Sequence, residues 1–233
     1  MIFRQLFEPA SSTYTYLLAD AVTRRAVLID PVVEEVETYA KLLADLKLTL
    51  EYTLETHVHA DHVTAGAVLR SRFGSRTVVH KDGGAACADV PVQHGDHVRV
   101  GAIDLEVRET PGHTNGCVSY VGADRVFTGD ALLIGGCGRT DFQQGDAGRL
   151  YDSVHQQILS LPPDTLVYPA HDYRSRTVST VKEEAGTNAR LGGTTSREEF
   201  IVIMSNLKLA YPKQIDRAVP ANQNCGREAV QQG

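Results

Sequence analysis

This sequence predicts an α+β (α/β) fold, an αββα sandwich in which two mixed β-sheets lie between helix layers. Strand-like apolar runs crowd the first half, stretches of helical periodicity interrupt them, and a helical, loop-rich tail follows. With 42% of 233 residues hydrophobic, the chain can bury one substantial core, and a single domain over 1–233 is expected. The opening Phe3-Arg4-Gln5-Leu6-Phe7-Glu8-Pro9 reads straight into a strand. Alternating or β-branched runs predict strands over 13–19, 26–29 and 50–55, with apolar residues at helical spacing over 33–46. A helix is expected from Asp61 to Phe73, with Asp61 and His62 in its first turn. Further strands are expected over 77–80, 97–100, 103–108, 117–121, 125–128 and 165–168, and further helices over 149–161 and 196–207. Ser196 with Glu199 reads as a capping box. The region from about 175 to 233 contains Gly192-Gly193 and the Pro-punctuated 211–224, and is expected to be an extension that wraps the body or offers a partner surface.

The stretch Thr56-His57-Val58-His59-Ala60-Asp61-His62 packs four metal-ligand side chains into six residues directly after a strand. Side chains two apart on extended backbone point to the same side, so His57 and His59 can face one cavity. A lone histidine is more often a satisfied core or surface residue; four ligand types together point to a metal. Three more follow at strand ends. They are His113 in Thr110-Pro111-Gly112-His113-Thr114, Asp130 closing Val126-Phe127-Thr128-Gly129-Asp130, and His171 in Tyr168-Pro169-Ala170-His171-Asp172. Sites beyond strand ends are characteristic of open α/β sheets.

This pattern, His-x-His-x-Asp-His and then separate His, Asp and His residues, resembles the metallo-β-lactamase superfamily. The resemblance implies the metallo-β-lactamase fold, with one metal on His57, His59 and His113, a second on Asp61, His62 and His171, and Asp130 able to bridge. Asp30, in Ala26-Val27-Leu28-Ile29-Asp30-Pro31, matches a position that is usually structural and stays outside the site. Within the superfamily, the opening heptapeptide, Gly136-Cys137-Gly138-Arg139-Thr140-Asp141-Phe142-Gln143-Gln144-Gly145 and Ala218-Val219-Pro220-Ala221-Asn222 are similar to persulfide dioxygenases. That likeness spans nearly the whole chain. It implies oxidation of glutathione persulfide with O2 and water to sulfite and glutathione, using one Fe(II) per chain on His57, His113 and Asp130. His59, Asp61, His62 and His171 are then residues behind the ligands or a vestigial second metal site. The sequence departs from the pattern at Asn115, where Pro is common, and at Gly135, where a basic residue is common.

Spacing alone equally permits a dinuclear hydrolase, and the divalent-ion affinity order favours zinc over iron on such ligands. The alternative is therefore a glyoxalase II-like thioester hydrolase, and a third reading is a metal-free binding protein on the same fold. Glutathione carries two carboxylates, so a cleft for it needs cations and donors. Arg139 is the first candidate because guanidinium pairs with carboxylate bidentately. Tyr173 and Thr114 can offer hydroxyls, and Asp141 can hold Arg139 or the substrate amine. Homodimer formation is a further expectation.

The net charge of -6 and the lack of basic runs argue against nucleic acid or an anionic membrane surface as partner. No apolar run approaches the ~20 residues of a membrane helix. Met1 to Pro9 lacks the apolar core of a secretory signal, and a cytoplasmic enzyme is expected. His80, His94, His97 and His155 read as surface or locally bonded residues. Cys87, Cys117, Cys137 and Cys225 form no Cys-x-x-Cys pair and are expected as free thiols, with Cys137 the one exposed to oxidation by its own substrate.

Overall fold

The structure is a computed structural model that describes residues 1–228. Its chain forms two compact units. The first comprises Met1–Val92, Arg99–Ile103 and the chain from Tyr211, and the second comprises Gln93–Val98 and Asp104–Ala210.

The first unit carries a six-stranded sheet in the order β1-β2-β3-β4-β5-β6, made of β1 (Ile2–Glu8), β2 (Thr13–Ala19), β3 (Arg25–Ile29), β4 (Thr49–Leu54), β5 (Arg76–His80) and β6 (Val90–Val92). β1, β2 and β3 pair antiparallel; β3 to β6 pair parallel, so the sheet is mixed. Every residue of β2 is buried, as expected for an interior strand. Helix α1 (Val36–Asp45) buries Val36, Tyr39, Ala40 and Leu43, spaced i, i+3, i+4, i+7, against Leu17, Leu28 and Leu50 of the sheet. The short β6 contains Pro91 and was not expected; a strand at the sheet edge tolerates a residue that donates no ladder bond.

Helix α2 spans Gly66–Phe73, five residues later than the sequence reading, so Asp61 and His62 do not lie in a helical turn. The preceding backbone is bonded elsewhere. Val63 O accepts from Val33 N, Ala65 N donates to Pro31 O, and Val32 and Thr64 form an isolated bridge. Once those groups are committed, the i to i−4 ladder cannot start before Gly66.

The second unit holds most of the other mixed sheet, whose order is β12-β11-β10-β9-β8-β7; residues 99–103, the end of β7 and the start of β8, are counted with the first unit. Its strands are β7 (His97–Val100), β8 (Ile103–Glu109), β9 (Val118–Val121), β10 (Arg125–Gly129), β11 (Leu166–Pro169) and β12 (Ser179–Thr180). α3 (Ala147–Ser153) runs into a π-helical turn over Val154–Ile158, and together they fill the single helix expected there. α4 (Val181–Thr187) follows, and α5 (Arg197–Ser205) starts with the expected capping box on Ser196 and Glu199. Leu132, Leu150, Val154, Ile158, Val167, Phe200 and Met204 form this unit's core.

The Pro-punctuated tail contains a helix the sequence reading lacked, α6 (Ile215–Gln223), with Pro220 inside it. α6 belongs to the first unit, where Ala218 and Ala221 pack on Val63. The expectation of four free thiols is corrected there. Cys87, between β5 and β6, and Cys225, just past α6, form a disulfide across 138 residues of sequence. No local spacing signals such a pair. Cys117 and Cys137 are buried and form no disulfide among the described residues. No helix among the described residues is long and apolar enough to cross a membrane.

Candidate metal centre

In the first unit the motif loop leaves β4 and is held by a carboxylate. Asp30, at the end of β3, has φ of 50°, which turns its side chain under the loop. Thr56 N and Thr56 Oγ1 both donate to it, at 2.7 and 2.8 Å. The Thr56 hydroxyl has thereby used its one proton, so at 3.0 Å it accepts from His57 Nδ1. The His57 tautomer assigned by this network carries its lone pair on Nε2, the form a metal ligand needs. His59 Nε2 donates to Asp30 Oδ1 at 3.0 Å and lies 3.6 Å from Glu55 Oε2. Burial alone would lower the His59 pKa, but the charge and hydrogen bond of Asp30, aided by Glu55 and Asp61, raise it well above the ordinary histidine value. Asp61 Oδ2 accepts from Thr13 Oγ1 and from His62 Nδ1. Ligand atoms of His59, Asp61 and His62 lie within 4.8 Å of one another. His59 Nδ1 and His62 Nε2 are buried with no hydrogen-bonding partner among the described residues, and His62, which gives its Nδ1 proton to Asp61, keeps a lone pair on Nε2 for an ion.

In the second unit Asp130 lies between His113 and His171. His113 Nε2 lies 3.4 Å from Asp130 Oδ2, and His171 Nε2 lies 3.6 Å from Asp130 Oδ1. His113 Nδ1 is 2.6 Å from the Arg139 carbonyl, which can only accept, so this ring too keeps its proton on Nδ1. Gly138 makes that approach possible. A Cβ there would stand 2.6 Å from Asp130 O and 2.9 Å from His113 Nδ1. The fit of these residues to a cation is therefore good: His113 holds a metal-ready tautomer, and Asp130 Oδ1, 3.6 Å from His171 Nε2, is buried without a hydrogen bond among the described residues.

The substrate candidates divide. Arg139 donates bidentately to Asp141 at 2.6 and 2.7 Å, bonds Ala210 O, and lies over the Phe142 ring. Its hydrogen bonds hold the Asp141 carboxyl below the ordinary aspartate value. Tyr173 is 72% exposed and stacks on His171. Thr114 is buried, its hydroxyl 3.2 Å from Cys117 Sγ. Cys137 is 4% exposed, and burial pushes its thiol up to about 11 in spite of Arg190, so the reactive thiolate expected there is scarce. Sequence reasoning missed Gly138 and Asn222. Gly138 carried a signal as part of Gly-Cys-Gly. Asn222, whose side chain bonds the motif loop from α6, carried only its place in a matching terminal segment.

Paired histidines and carboxylates at strand ends of two mixed sheets define the class of this protein. A family model of the metallo-beta-lactamase superfamily matches residues 9–171, and the chain belongs to that superfamily. It is 55% identical to human persulfide dioxygenase ETHE1, mitochondrial, over 97% of this chain and 89% of that one. The crystal structure of ETHE1 from Myxococcus xanthus superposes with a TM-score of 0.95 at 56% identity, over 97% of this chain and 100% of that one. The chain's branch of the superfamily is the persulfide dioxygenase family, and its fold is the metallo-beta-lactamase fold, two mixed sheets flanked by helices. A hydroxyacylglutathione hydrolase of Bradyrhizobium sp. stands further off, 35% identical over 80% of this chain and 73% of its own.

Proposed function

We propose that this protein oxidises glutathione persulfide with O2 and water to sulfite and glutathione, using one Fe(II) held by His57, His113 and Asp130. The observation that carries the reading is the 55% identity to a persulfide dioxygenase over 97% of the chain. Metal-ready tautomers at His57 and His113 support the ligand choice. When bound, Fe(II) on two histidines and a carboxylate supplies redox chemistry and an open face for a sulfur anion and dioxygen. Thr56 and the Arg139 carbonyl keep the ligand rings in register through Nδ1. Arg139 receives a substrate carboxylate, with Asp141 holding its guanidinium in plane beforehand, the exposed Tyr173 offering a hydroxyl at the rim and Thr114 a further one next to His113. Such preorganisation lowers the entropic cost of placing the persulfide. His59, Asp61, His62 and His171 act as support or as a vestigial second site.

A second reading, a glyoxalase II-like dinuclear hydrolase, draws on the convergence of His59, Asp61 and His62. His171→Ala separates the two: a hydrolase loses its second ion and its activity, whereas the dioxygenase keeps its iron and part of its rate. The direct test is O2 uptake by anaerobically purified, Fe(II)-loaded protein given glutathione persulfide. Uptake, sulfite and about one iron per chain are expected for a single facial site; two zinc ions and thioester cleavage would sink the dioxygenase.

We further read 1–233 as one catalytic domain with an extension from about 175, whose last five residues lie outside the described ones. The family match across 9–171, which runs through both compact units, supports this. A homodimer and a cytoplasmic location complete the proposal.

A further inference from the structure

Asn222 lies on the buried face of α6 beside Ile215, Ala218 and Ala221 and is 4% exposed. A primary amide at such a position is costly unless its bonds are made. Its Nδ2 donates to His59 O at 2.9 Å and to His62 O at 2.8 Å, and its Oδ1 accepts from Thr64 N at 2.8 Å. These three bonds go to the segment where the expected helix does not form. The amide thus completes the loop's backbone bonding in place of a helical turn.

α6 itself is tied down around Asn222. Cys225, three residues on, is joined to Cys87, and its carbonyl accepts from Ala67 N at 2.8 Å. From the loop, order passes to the ligand side through bonds already described: His59 to Asp30, Asp30 to Thr56, and Thr56 to the His57 ring.

We propose that Asn222 is a positioning residue for the metal centre, acting through the His59–Thr64 backbone to set the histidines of the motif loop. The proposal rests on the metal reading of that loop. It gives the C-terminal helix a role in the chemistry although none of its residues is a ligand.

The test uses the full chain freed of metal and titrated with Co(II), whose d–d absorption reports ligand geometry. The wild type is titrated first. If it takes up no Co(II), the metal reading fails, and the variants are not needed to show it. Asn222→Ala, with far-UV circular dichroism unchanged, is expected to bind Co(II) about 10-fold more weakly, as loss of a residue supporting ligands does, and to show shifted bands. Reloaded with Fe(II), it should lose kcat while its KM for glutathione persulfide stays put. A folded Asn222→Ala protein with wild-type affinity and spectrum would overturn the proposal. Should that variant fail to fold, Asn222→Asp, which keeps the acceptor for Thr64 and removes both donors, decides on the same readouts.

Discussion

At the scale of single residues, the site is a matter of where protons sit. Thr56→Val removes the acceptor for His57 Nδ1 and one donor to Asp30, while Thr56→Ser keeps both. Metal affinity is expected to fall about 10-fold in the valine variant and to survive in the serine one, measured by metal titration of the purified proteins. His113→Ala and Asp130→Ala should abolish bound iron and O2 uptake together; uptake retained in either would remove that residue from the ligand set. Arg139 is held by Asp141, so Arg139→Ala should raise the KM for glutathione persulfide far more than it lowers metal content. That pair also carries a pH signature. The folded Asp141 value is depressed, so its stabilising contribution is fully present above the ordinary aspartate value and is lost as pH falls through the folded one. The KM of the wild type should therefore hold steady on acidification to the ordinary aspartate range, whereas Asp141→Asn should show a raised KM at every pH.

Secondary-structure elements show what could be read from the chain and what could not. β2 and β7 occupy the expected residues because apolar and β-branched runs at strand length have one good use. α5 starts where Ser196 and Glu199 announce it. Ser196→Ala should cost about 1 kcal/mol in denaturant unfolding, the usual worth of such a cap, without touching metal content. The start of α2 was misplaced because its first expected turn is bonded to Val33, Pro31 and a side chain from the far end of the sequence, which no local pattern encodes. α6 was hidden by Pro220, which reads as a break, although the burial of Ile215, Ala218 and Ala221 sustains the helix around it. The ligand-type residues were legible because they cluster at strand ends; the groups that hold them, Asp30 apart, were not, because they come from tautomer bonds to Thr56 Oγ1 and a backbone carbonyl.

For the whole molecule, the Cys87–Cys225 bond is the covalent feature the sequence least advertised, and it makes a measurable claim. Both cysteines lie in the first unit, whose C-terminal helix supports the motif loop, and the 138-residue separation they close takes in all of the second unit's sequence. Cross-linking over so long a span removes much conformational freedom from the unfolded chain, worth about 2–4 kcal/mol where native geometry is undisturbed. For a chain of this size each kcal/mol moves the thermal midpoint by about 2–4 °C, so opening the bond should lower it by roughly 5–15 °C. Cys87→Ser and reductant-treated wild type should show the same fall, and reductant should leave Cys87→Ser unchanged. A midpoint indifferent to both would mean that α6 is held by Ala218, Ala221 and the Asn222 amide without help from the disulfide. Because both cysteines lie in the first unit, hydrogen exchange should rise there, in α6 and around Ala67, before it rises in the core of Leu150 and Phe200.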